Sequence, residues 1–171
     1  MARNDTIKSI ATAFASVSPL EPGMEPLSAT ECRRLIDDLS VMQPAHLHWV
    51  LPQVLVDFLR FPERPRAQWD LADVIAVLNA PLTDAEDFYA DLAPCDADYF
   101  KKGFEMLRRG HRDAYRNFTR KQSTAIVAFL REVADWPGIK LGAEKDWRGA
   151  VDYWSRRSNA EGRRIRPRRA P

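Results

Sequence analysis

Apolar residues recur along this chain three and four positions apart. Clusters of proline, glycine and short polar residues separate one such stretch from the next. On a helix that spacing gathers apolar side chains into one stripe. Ile7, Ile10, Ala11, Phe14 and Val17 make the first, with Asn4 or Asp5 placed to accept from the free N–H groups of the first turn. Pro19, Pro22, Gly23 and Pro26 mark a linker. Ser28-x-x-Glu31 has the form of a capping box and opens a helix with Leu35, Ile36 and Leu39 inward.

The stretch QPAHLHWVLPQVLVDFLRFP is the most apolar and predicts the central element. Pro52 has no N–H to donate. The sequence is therefore read as broken there: a short turn from Pro44, then a new helix with Pro52 at its first position. A continuous kinked helix is the alternative. Leu71, Val74, Ile75 and Leu78 mark the next helix, stopped by Asn79 and Pro81. Thr83-x-x-Glu86 caps a short acidic helix with Phe88, Tyr89 and Leu92. Asp96 or Asp98 caps a longer basic one with Phe100, Phe104 and Leu107, which Gly110 interrupts. Thr119-x-x-Gln122 is a third capping box, and Ile126, Val127, Leu130 and Val133 form the stripe behind it. Trp147, Ala150, Val151 and Trp154 line a last helix. QVLVDFL and AIVAFL would suit buried strands in isolation, but their flanks keep the helical period. The pattern predicts an all-α, single compact domain of about seven helices over residues 1–155. After Ser155 only Ile165 is aliphatic, so residues 156–171 read as a disordered Arg-rich tail.

Composition agrees with a folded domain: 45% of the 171 residues are hydrophobic and 10% aromatic, too much for a disordered chain. No apolar run is long enough to span a membrane. The start, MARNDTIKSIATAF, lacks the apolar block of a signal peptide, and Cys32 and Cys95 form no disulfide framework. Both point to a cytoplasmic protein.

Charge changes the picture more. The net value of +2 joins a body of −4 to a tail of +6. Within the body, Asp84, Glu86, Asp87, Asp91, Asp96 and Asp98 follow one another with no Lys or Arg between 81 and 99. Eight bases then fall between 100 and 121. Arg108, Arg112 and Arg116, four apart, would share one helix face, with Arg109 beside them. Tyr115 and Phe118 are interleaved with these bases, a mixture able to contact phosphates and stack bases. The tail adds Arg163, Arg164, Arg166, Arg168 and Arg169.

Catalytic chemistry leaves little trace. His46 and His48 are two apart, so on a helix they face different ways, one exposed and one partly buried, and are poorly placed to share a metal. His111 reads as solvated and Cys32 and Cys95 as buried thiols. Trp147 and Trp154 read as core, and Trp136 as a helix-end anchor. No phosphate loop, nucleophile elbow or zinc helix motif is present, and no cofactor or metal is expected.

Three pieces carry a family resemblance. They are IKSIATAFASV, the stretch SVMQPAHLHWVLPQVLVDFL with Trp49-Val50-Leu51-Pro52 in place of a Tyr-Leu-Pro-Ala motif, and FTRKQSTAIVAFLREV followed by Tyr153-Trp154. In this order they resemble a DUF6714-like family of small bacterial proteins of unknown function. The chain departs from that pattern at Gln53, in the basic stretch Lys101–Arg116 and in the Arg-rich tail. Small proteins of this kind resemble the immunity proteins of bacterial toxin systems. The resulting expectation is a non-catalytic cytoplasmic interaction protein that occludes a toxin, with the acidic stretch Asp84–Asp98 meeting a basic partner. A nucleic-acid-binding accessory protein using the basic helix and tail is the second expectation. An enzyme with an unrecognised site is the third.

Overall fold

The computed structural model describes residues 3–19, 23–63, 67–79, 105–106, 109–137 and 139–159. Seven α-helices stand among them: α1 (Arg3–Ala13), α2 (Ala29–Arg34), α3 (Pro44–Arg60), α4 (Ala67–Asn79), α5 (residues 109–116), α6 (Arg120–Glu132) and α7 (Glu144–Asn159). A 3-10 turn at Leu39–Val41 precedes α3, and a π turn at Ile139–Ala143 precedes α7. No strand occurs among the described residues. The acidic run Asp84, Glu86, Asp87, Asp91, Asp96 and Asp98, together with Cys95, Arg108 and residues 160–171, lies outside the described residues.

The helices close around one core. α6 packs along α7, α1 lies across α6 and α3, and α4 lies against α7. α3 supplies the most buried surface: Leu47, Leu51, Val54, Leu55, Phe58 and Leu59 are all fully buried. Leu71, Val74, Ile75 and Leu78 of α4 join them, with Ile126, Leu130 and Val133 from α6 and its C-cap. Each of these stripes follows the spacing read from the sequence.

Four local readings change. α3 is continuous through Pro52, so the sequence does not break there. Pro52 is buried on a helix whose apolar stripe continues on both sides, and that burial outweighs the one hydrogen bond the proline forfeits. Beside it, Gln53 Nε2 donates to the Trp49 carbonyl at 3.0 Å. α1 already includes Arg3, so Asn4 and Asp5 lie inside the first turn and do not cap it. α2 ends at Arg34, yet Ile36 and Leu39 are still buried through the turns that follow. Finally, α7 runs to Asn159, so the first four residues of the expected tail are helical. The capping boxes at Ser28/Glu31 and Thr119/Gln122 both form as expected.

Two glycines are required by geometry. Gly23 has φ +88°, where an L side chain would be strained. A Cβ at Gly149 would stand 2.2 Å from Asn79 Oδ1, so the glycine lets α7 approach the end of α4.

Candidate functional site

A mainly apolar groove of about 680 Å3 opens between α1 and α3. One wall is α1 with Ile10 and Phe14; the other is α3 with Trp49, Pro52 and Val56. The segment from Met24 to Cys32 closes one side. Gln53 ties this segment down: its Oε1 accepts from the Leu27 N–H at 2.7 Å while its Nε2 holds the Trp49 carbonyl. Gln53 serves both the proline-containing helix and the groove wall. Cys32 is buried here, outside any disulfide. Met24 and Phe61 stand at the rim, 39% and 50% exposed.

A second concentration of polar contacts lies at the end of α4, and it is closed. Val77 and Leu78 end α4, where carbonyls lack helical partners. Tyr115 OH donates to the Val77 carbonyl at 2.8 Å, and Trp154 Nε1 donates to the Leu78 carbonyl at 3.1 Å. Asn79 Nδ2 donates to Asp146 Oδ1 at 2.8 Å. Tyr115 and Trp154 are fully buried, with ring centroids 4.8 Å apart, edge to face. Phe118, Phe14 and His48 extend this aromatic chain towards α1 and α3. Burial, with Tyr153 nearby, holds the Tyr115 hydroxyl pKa well above its ordinary value. The hydroxyl is therefore a proton-bearing donor, suited to a backbone carbonyl.

His48 is bound into the same chain. Gln122 Oε1 accepts from the Thr119 N–H at 2.8 Å as part of the capping box. His48 Nε2 lies 3.2 Å from that oxygen, so Nε2 carries a proton and donates to it. Its ring lies 4.5 Å from that of Phe118. His46 is exposed and His48 half-buried, on different faces as their spacing requires.

The sequence missed three features here. His111 is buried, not solvated, because it sits on the inward face of α5 with Ala114 and Tyr115. Tyr115 and Phe118 are also buried, so neither can stack on a base. The inward face of α5 (His111, Ala114, Tyr115) was legible at helical spacing, but the polar tips of His and Tyr masked it. Trp154 is core, as expected, whereas Trp147 is half-buried and donates through Nε1 to the Leu130 carbonyl at 2.8 Å. Trp136 is half-buried at the end of α6, with the Arg3 guanidinium 6.0 Å from its ring.

Arg109, Arg112 and Arg116 are exposed on one face of α5. Arg116 pairs with Asp113 at 3.8 Å, an exposed pair of little consequence for stability. Arg157, assigned to the tail from sequence, instead donates through Nη2 to the carbonyls of Tyr115 at 2.6 Å and Phe118 at 3.1 Å. Among the described residues, no group of three His, Cys, Asp or Glu side chains could hold a metal ion. No described helix is long and apolar enough to cross a membrane. No protein-family model, curated protein or solved structure matches this chain.

Proposed function

We propose that this protein is a non-catalytic binding module that holds a partner protein in the groove between α1 and α3. One observation supports the reading: the groove is lined mostly by apolar side chains, with Gln53, Asp57 and Arg60 among them, and two residues bordering it, Met24 and Phe61, are large, apolar and exposed. Single exposed apolar residues are ordinary, but two bordering one apolar concavity suit a binding surface. A cytoplasmic setting belongs to the same reading, supported by Cys32 being buried and outside any disulfide. In its sharper form the partner is a bacterial toxin whose active site is occluded. The acidic run from Asp84 to Asp98 would then speed encounter with a basic toxin surface.

The test is capture of partners from the native cell with wild type and a Met24→Asp/Phe61→Glu double variant. Both side chains are exposed, so melting of the variant should match wild type. The reading expects one partner, retained by wild type and lost by the variant. Equal retention by both proteins overturns it. A toxin that associates as fast with an Asp84/Asp87/Asp91→Ala variant as with wild type overturns the acidic contact.

A further inference from the structure

Three basic stretches, far apart in sequence, meet at one end of the molecule. α5 ends at Arg116, α6 begins with Arg120 and Lys121, and α7 ends through Arg156 and Arg157. Side-chain hydrogen bonds fix the meeting. Arg157 Nη2 reaches the Tyr115 and Phe118 carbonyls, which sets the last turn of α7 against the end of α5 and the turn after it. Arg120 Nε donates to the Ser158 carbonyl at 2.7 Å, which sets the start of α6 against the same turn. Arg116, Arg120, Lys121 and Arg156 are exposed. Asp113 pairs with Arg116 and Asp152 with Arg156, but both pairs are exposed and held only weakly. Arg109 and Arg112 extend the cations along α5. A cleft of about 600 Å3 between α6 and α7, lined by Arg120 and Arg131 with Glu132 as its one acid, continues them on the other side. The sequence beyond Asn159 adds Arg163, Arg164, Arg166, Arg168 and Arg169 against Glu161.

We propose that this end of the molecule binds the phosphate backbone of nucleic acid without reading its bases. From Arg109 to Arg116 the helix rises about 10 Å, near the rise of roughly three nucleotides of one DNA strand. Tyr115 and Phe118, the aromatic residues of the same stretch, are buried, which leaves charge as the means of contact. α5 also turns its apolar face into the core. Apart from the exposed Met106, the helical residues 105–106 and 109–116 present nothing apolar to a lipid surface. This surface is separate from the groove, so either can fail without the other.

The experiment measures binding of the full chain to a short labelled DNA duplex of two unrelated sequences, with phosphatidylserine vesicles in parallel. Affinity for the two sequences should agree. It should fall about a hundredfold between about 50 and about 200 mM salt, the loss for roughly four phosphates. An Arg116→Glu/Lys121→Glu variant, with unchanged melting, should bind at least about tenfold more weakly. Deleting residues 160–171 should weaken binding but leave a salt-dependent part that the double variant abolishes. No binding at the lower salt overturns the proposal. So does wild-type affinity in the double variant, loss of all binding on deletion, or vesicle binding under conditions where DNA stays free.

Discussion

The end of α4 and the groove between α1 and α3 are built on opposite principles. At the end of α4, two buried aromatic side chains aim donors at successive carbonyls, and Asn79 reaches Asp146. Those partners come from α5 and α7, so three helices are fixed in angle as well as in contact. Hydrogen bonds are directional, and a buried group without its partner is costly. The groove is walled mainly by apolar contacts, with Gln53 as its one long-range clip among the hydrogen bonds described above. Apolar contacts constrain separation but not angle. Directional bonds therefore concentrate at the end of α4, while the groove walls meet mainly through apolar side chains.

The largest test of that contrast is Trp154→Ala. The side chain is fully buried, packs on Tyr115 and Phe118, and holds the Leu78 carbonyl. Its loss should cost roughly 3–5 kcal/mol, read by denaturant unfolding. Phe61→Ala at the groove rim should change stability by no more than about 0.5 kcal/mol. Similar costs for the two would break the comparison.

Tyr115→Phe keeps the ring and removes one donor. Without that donor at the Val77 carbonyl, the expected loss is about 1–3 kcal/mol at neutral pH. Alkaline titration sharpens the result. In the unfolded chain a tyrosine loses its proton near pH 10, whereas buried Tyr115 keeps its proton to a much higher pH. The folded state then binds more protons than the unfolded one, so stability falls as pH rises through that window. Wild type should lose stability more steeply above about pH 10 than Tyr115→Phe. Parallel profiles would show that the hydroxyl is not sealed from water.

What could be read from sequence follows the same division. The stripes of α3, α4 and α6 were legible because apolar spacing alone defines them, and Ser28/Glu31 and Thr119/Gln122 were legible because a capping box is local. The continuity of α3 through Pro52 was not, because it depends on burial by helices distant in sequence. Nor were the roles of Tyr115, His111 and Arg157. Each has a polar tip that local pattern assigns to solvent, yet His111 is buried, and Tyr115 and Arg157 are held by partners some forty residues away. Arg157 looked like tail because its neighbours are basic, yet its partners are the carbonyls at the end of α5. The groove was invisible for a further reason: its wall residues on α1 and α3, such as Ile10, Phe14 and Trp49, read from spacing as ordinary core.

The smallest expected effect lies beside the groove. Ser28 Oγ accepts from the Glu31 N–H at 3.3 Å, and Glu31 Oε2 accepts from the Ser28 N–H at 2.8 Å and from its hydroxyl at 2.7 Å. These bonds from Ser28, side chain first, hold the Glu31 carboxyl below its ordinary pKa. The cap is therefore in force above the unfolded carboxylate value, about pH 4.3, and fades as pH falls through the lower folded value. Ser28→Ala should lower Tm by roughly 2–4 °C at neutral pH, the effect of one N-cap in a chain of this size. The gap between variant and wild type should close in acid. Hydrogen exchange in α2 should accelerate while the amides at the end of α4 stay protected, since no bond of the cap reaches them. Faster exchange at both places would mean that the groove wall and the end of α4 open together, and the contrast between them would fall.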